Sequence, residues 1–232
     1  MRLPQHRSSP ATMRVLILGA TGPSGLLLVQ EALAAGHTVV LYVRSPQKLP
    51  EDITSNTSVT VVEGQLNDEA ALSGALEGVD AVLSALGPPV KQGPTYPSGT
   101  PIAHGYVVLL DAMHERGVKR LIALGTPSMK DEHDKFSLRF ATLVAGVALF
   151  ARNAYKDVVA IGETLRAAKE DVLWTIARVP ILTSSASKDV VAGYIGDDKV
   201  NTTISRAAFA SFCVQQLTSD EWVRKAPLVS SP

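Results

Sequence analysis

Residues 15–18, Val-Leu-Ile-Leu, are continuously apolar, with polar or small residues closing the run on both sides. A short unbroken run of this kind predicts a strand buried on both faces. Leucines 26–28, Val29, Leu33 and neighbouring alanines then predict a helix that begins near Ser24 and is ended by Gly36. The same alternation repeats along the chain. Residues 37–43, 59–62, 81–86, 118–124 and 172–178 read as five further strands. Helical patterns lie between them, including 101–116, closed by Gly117, and a long stretch over 136–170. Asp68 and Thr100 stand at helix N-cap positions, with Pro101 at a first helical position. Strands alternating with helices predict an α/β fold of Rossmann type, a doubly wound parallel sheet with helices on both faces. Residues 188–201 interrupt the pattern and read as an irregular or two-stranded excursion beside a pocket.

Candidate chemistry gathers where the first strand meets the first helix. Gly19, Gly22 and Gly25 follow each other at three-residue spacing, with Thr21, Pro23 and Ser24 between them. Glycine there permits positive φ, close backbone approach to a ligand and tight packing of helix on strand. The amino end of the following helix directs free N–H groups and a positive dipole at the turn, a place for a pyrophosphate. At the end of the second strand an acidic residue would accept hydrogen bonds from the ribose of NAD. Arg44 stands there instead, with Ser45 and Lys48 nearby. A guanidinium suits a 2′-phosphate, so NADP(H) is the expected cofactor, although a solvated surface arginine would look the same.

The spacing GxxGxxG, opening with Gly19-Ala20-Thr21-Gly22, resembles the short-chain dehydrogenase/reductase superfamily and its atypical branch. Two later stretches resemble signatures of that branch: Asp171-Val-Leu-Trp-Thr-Ile-Ala-Arg-Val-Pro180, and Ile204-Ser-Arg-Ala-Ala-Phe-Ala210 with Ala208 in place of an aspartate. The resemblance is to the NAD(P)H-binding, NmrA-like group, with biliverdin-IXβ/flavin reductase-type proteins as its small members, and spans residues 13–217. It implies further contacts. Gln65, beside Leu66, takes the place of an aspartate that meets the adenine in relatives. Ala85, Leu86 and Gly87 correspond to a small-residue turn against the cofactor ribose, and Pro180 to the border of the nicotinamide end. Thr126, with Ser128 close by, corresponds to the first catalytic hydroxyl, although turns favour such residues for hydrogen bonding alone. The superfamily's usual Tyr-x-x-x-Lys relay is missing, because no tyrosine has a lysine four residues on. Tyr155 remains as an aromatic candidate near the cofactor.

Composition narrows the reading. The chain has 232 residues, formal net charge zero and 46% hydrophobic residues, which predicts a folded protein without the basic surface that nucleic acid requires. Residues 1–12 read as a disordered tail lacking the apolar run of a secretory signal, and residues 13–232 as a single NAD(P)-binding domain with small carboxyl-terminal pocket elements. Cys213 is the lone cysteine and reads as buried filler; a reducing, cytoplasmic location fits. The histidines show no metal-ligand spacing. The apolar stretch 141–151 is too short to span a bilayer and predicts a buried helix, or one at a subunit or substrate surface. The turn-rich loop 88–101 offers Lys91 and Tyr96, with His104 beyond it, as lining of a substrate mouth. The expected function is NADPH-dependent reduction of a small conjugated or carbonyl substrate (a flavin, quinone, tetrapyrrole or secondary metabolite) by a monomer or homodimer. An NmrA-like redox sensor without turnover and a biosynthetic isomerase or cyclase on the same fold are the alternatives.

Overall fold

In the computed structural model, which describes residues 12–232, the first apolar run forms β1 (Arg14–Leu18) inside an eight-stranded sheet. To one side lie β2 (Thr38–Val43) and β3 (Val59–Glu63). To the other lie β4 (Ala81–Ser84), β5 (Arg120–Gly125) and β6 (Leu173–Arg178). All six pair in parallel. The order β3-β2-β1-β4-β5-β6 winds outward in both directions from β1 and β4, so a crevice opens at the carboxyl ends of those two strands. Beyond β6, β7 (Ile181–Thr183) and β9 (Thr203–Ser205) form a separate parallel pair. Between them β8 (Val191–Gly193) returns to the main sheet, antiparallel to β10 (Leu228–Ser230), which itself lies parallel to β6.

Two apolar layers explain why β1 has no polar alternation. Val15 and Ile17 belong to one buried cluster with Leu28, Val29 and Phe209, from α1 (Pro23–Ala34) and α7 (Arg206–Gln215). Leu16 and Leu18 belong to the other. There they join residues of α3 (Glu69–Ala75), α4 (Pro101–Arg116) and α6 (Arg152–Arg166), including Leu72, Tyr106 and Ile161. The short α2 (Glu51–Thr54) adds Ile53 to the first cluster. The doubly wound arrangement expected from the alternation is present. Gly36 follows α1 at φ 84°, and Asp68 caps α3 by accepting from the Ala71 amide at 3.0 Å, both as expected. The expected tail lies outside the described residues except for Thr12.

Two expectations need correction. The helix over 136–170 breaks at Ala151 (φ −134°, ψ 53°) into α5 (Leu138–Phe150) and α6. Of the two places expected for its apolar stretch, the buried one does not hold: α5 lies at the surface, and within it only Phe140 is buried, packed with Ile195 and Leu228. Thr100 does stand at the N-cap of α4, but its backbone is left-handed at φ 50° and its hydroxyl makes no cap. The cap comes from across the fold. The fully buried Asp157 of α6 accepts from the amides of Ile102 (3.1 Å) and Ala103 (2.9 Å) and from the Tyr96 hydroxyl (2.5 Å). One carboxylate therefore ties the 88–101 loop, α4 and α6 together. Replacing Asp157 with Ala would leave two buried amides and a phenol without an acceptor, so unfolding in urea should show a loss on the order of 3 kcal/mol. Asp157→Asn, which keeps one acceptor, should fall between that variant and the parent.

Candidate functional site

The turn between β1 and α1 is shaped by its own backbone. Gly19 has φ 77°, and a Cβ there would stand 3.0 Å from the Ala85 carbonyl carbon and 3.2 Å from the Leu86 amide nitrogen. A Cβ on Gly25 would come within 2.7 Å of the Gly19 carbonyl carbon, and closer still to its oxygen. Both glycines are therefore demanded by the fold. The first lets the turn lie against the end of β4, and the second lets α1 press on the turn. Gly22 is different. Its φ of −86° suits any residue and a Cβ would meet only the Gly19 oxygen at 3.5 Å, an ordinary contact.

The amino end of α1 is left open. Gly22 is its N-cap and brings no side chain, and Pro23 occupies the first helical position. Within the described residues no acceptor meets the amides of Ser24 and Gly25. α3 and α7, by contrast, are capped by Asp68 and by Ser205, which accepts from the Ala208 amide at 2.8 Å. The open end lies at the crevice between β1 and β4. Bare backbone, unpaired amides and a positive dipole end fit a nucleotide diphosphate.

The other predicted residues surround this turn. Thr21 is half-buried, and Ala85, Leu86 and Gly87 follow β4 beside Gly19, all half-buried. Arg44 is exposed directly after β2 and forms no ion pair within the described residues. Its charge reaches Tyr96: burial and the Asp157 carboxylate push that phenol well above its ordinary value, and Arg44 opposes them. The turn after β3 is pinned by the Tyr42 hydroxyl, which donates to the Gln65 carbonyl at 2.8 Å and leaves the Gln65 side chain exposed. Leu66 packs against Gly105 of α4.

The predicted catalytic residues are only partly assembled. Thr126 and Ser128 share the turn after β5, where the Thr126 hydroxyl accepts from the Ser128 amide at 3.2 Å. Tyr155 stands half-buried in the first turn of α6, and within the described residues no hydrogen bond links it to either. Pro180 is half-buried just past β6. Tyr96 is buried on Asp157 rather than lining a mouth, and His104 is exposed. The Lys91 side chain lies outside the described residues.

Sequence reasoning missed the clamp that holds this edge. The fully buried guanidinium of Arg178 makes a bidentate pair with Asp134 (2.5 and 2.8 Å) and donates to the carbonyls of Met129 (3.0 Å) and Ala226 (2.6 Å). Asp134 also accepts from the Ile195 amide at 3.0 Å. The pair thus fastens the Thr126 turn to β6 and to the excursion around Ile195. A basic residue closing the buried run Leu173–Arg178 was the available signal, since such a charge requires a partner.

The comparisons with known proteins agree with this fold. A family model described as NAD(P)H-binding matches residues 19–220. The photosystem II assembly factor Ycf39 of Synechocystis sp. (strain ATCC 27184 / PCC 6803 / Kazusa) is 42% identical over 73 residues, 32% of this chain and 22% of that protein. The phenylcoumaran benzylic ether reductase IRL1 of Ginkgo biloba is 38% identical over 81 residues, 32% of this chain and 26% of that protein. These matches span about a quarter of the relatives' length. Among solved structures, a short-chain dehydrogenase/reductase from Veillonella parvula DSM 2008 in complex with NADP superposes with TM-score 0.76 at 16% identity, covering 96% of both chains. The anaerobillin reductase ChuY of Escherichia coli O157:H7 superposes with TM-score 0.72 at 16% identity, covering 94% of this chain and 97% of that one.

The glycines make separable demands. Gly25→Ala should cost about 3 kcal/mol in thermal or urea unfolding, because the obstacle is backbone. Gly22→Ala should stay within about 1 kcal/mol of the parent in the same measurement.

Proposed function

The chain belongs to the NAD(P)H-binding family, and from that premise we propose that it is an NADPH-dependent reductase of a small conjugated or carbonyl substrate. The observation that carries the reading is the uncapped amino end of α1 on a bare glycine turn, at the crevice of the sheet and one strand from Arg44. Residues 13–232 act as one NAD(P)-binding domain. The amides of Ser24 and Gly25 hold the pyrophosphate, and Gly22 stays bare to let it approach. Arg44 pairs with the 2′-phosphate. Gln65 and Leu66 border the adenine, Ala85, Leu86 and Gly87 the ribose, and Pro180 the nicotinamide end.

When bound, the dinucleotide supplies the hydride. The chain binds and orients the acceptor and keeps water from it. Thr126 or Ser128, through a water, or the solvent itself, hands over the proton. Conjugated acceptors such as flavins, quinones and tetrapyrroles suit a site without a tyrosine–lysine pair, because they need little acid help. The Escherichia protein is named as the reductase of an anaerobillin, and the Ginkgo protein as the reductase of a benzylic ether; both names support reduction of a small organic substrate. A second reading, a dinucleotide sensor without turnover, is favoured by one observation: the Tyr155 hydroxyl has no partner within the described residues to tune it.

Oxidation of NADPH followed across a panel of flavin, quinone and tetrapyrrole acceptors tests the proposal. Turnover with one acceptor, lost in a folded Gly22→Asp variant, is the expected result. Tight NADP(H) binding with no turnover across the panel would transfer the chain to the sensor reading. Arg44→Glu should weaken NADPH binding in calorimetric titration by about 1–3 kcal/mol and leave NADH binding little changed. An unchanged NADPH affinity would remove Arg44 from the phosphate site.

A further inference from the structure

α5 spans 13 residues, Leu138–Phe150, and buries only Phe140. Large apolar side chains stand out from it and from the residues before it: Phe136 is 85% exposed, Leu138 68%, Leu149 76% and Phe150 72%. Val147, 40% exposed, adds to them, so large apolar side chains stand bare on more than one side of the helix. Apart from Arg139, the helix presents little that needs water. The hydroxyl of Thr142 donates to the Arg139 carbonyl at 2.9 Å, so it is satisfied within the helix. A helix apolar nearly all round is normally buried in protein or in lipid.

Charge distinguishes the occupants of this face. Residues 135–156 contain Lys135, Arg139, Arg152 and Lys156 and no acidic residue. All four are exposed, and none forms an ion pair within the described residues. Most nearby acids are engaged elsewhere: Asp131 with His133 and Arg166, Asp134 with Arg178, and Asp157 with the α4 amides. Glu132 is exposed, and Asp198 shares a groove with Arg139. A second copy laid on this face would set basic flanks against basic flanks. Residues 1–11 carry Arg2 and Arg7 and no acid, so they offer no complement either. An anionic surface with an apolar interior satisfies both the leucines and the lysines.

We infer that α5 and its basic flanks form a docking surface for an anionic lipid bilayer. The helix lies in the plane of the interface, with Phe136, Leu138, Leu149 and Phe150 among the acyl chains and the four cations at the headgroups. It does not cross, and among the described residues no helix is long and apolar enough to do so. The docking stands independently of any turnover. If the reductase reading holds as well, a groove of about 420 Å³ between α5 and β7 gains a role. It is lined by Arg139, Thr142, Leu143, Ile181 and Thr202, and Ile181 directly follows Pro180. Docking would bring its mouth to the lipid, from which a lipid-soluble acceptor can enter.

Flotation of the full chain with vesicles tests this, using phosphatidylcholine alone and phosphatidylcholine mixed with phosphatidylglycerol. The chain should rise with the mixed vesicles, rise less with the neutral ones, and be released by salt. Leu149→Glu with Phe150→Glu should cut binding at least tenfold with an unchanged melting temperature, since both side chains are exposed. Arg152→Gln should weaken binding to the anionic vesicles about fivefold and binding to the neutral ones hardly at all. Failure of the parent chain to float with either vesicle, or equal flotation of the double variant, overturns the inference. So does a dimer in sedimentation velocity that the double variant dissolves without any flotation, because it gives the face to a second copy. None of these readouts depends on NADPH oxidation.

Discussion

The approach of the β1–α1 turn to its own helix governs the geometry of the candidate site. α1 can press on the turn only because Gly25 has no Cβ, and the turn can lie against Ala85 and Leu86 only because Gly19 has none and accepts a positive φ. Those two contacts fix the amino end of α1 over the crevice between β1 and β4. Sheet order then matters: because winding runs outward from these two strands, no connection crosses above them, and the crevice stays accessible. The open helix end and the topological crevice coincide, which is why the backbone itself can serve as the binding surface.

Two carboxylates hold the rest of the rim. Asp157 gathers the 88–101 loop and α4 onto α6, and Asp134 with Arg178 gathers the Thr126 turn and the excursion near Ile195 onto β6. Both are buried or nearly so and both are fully engaged. Burying such groups is costly unless every bond is made. Their energetic role is therefore less to add stability than to penalise any other arrangement of the loops. The rim is irregular in secondary structure yet specified in position, a useful property for a surface that must match a ligand.

How much of this was legible in the sequence follows from range. The glycine turn, the six parallel strands and the Asp68 cap depend on neighbours within a few residues, and their signals stood in the residue pattern. The Asp157 cap joins residues more than fifty positions apart, so Thr100 with Pro101 gave the start of α4 but not the side chain that caps it. A hint was present: Asp157 lies among Ala154, Val158, Ile161 and Leu165 on the buried face of α6, where an acid needs a reason. Arg178 at the end of an apolar strand carried a similar hint, but its partner could not be chosen among the acids of the loop. The break at Ala151 was the least legible feature. Alanine favours helix, so local propensity gives no signal for the end of α5.

The same break accounts for the exposed helix. α6 is held on the core by its buried face and on α4 by its carboxylate, while α5, upstream, offers mostly alanines, valines and leucines with no polar face to choose a side. An amphipathic helix folds back onto the core because one side prefers it. A helix that is apolar all round gains from burial in any direction, and its orientation is set by what the fixed elements leave available. Here the clamps at Asp134 and Asp157 fix both ends of the segment, and α5 spans between them outside the two core layers. The apolar composition of residues 141–151 pointed to burial or to a subunit or substrate surface. Because the fixed elements leave all of α5 but Phe140 unburied, the surface alternative is the one this fold leaves to the helix.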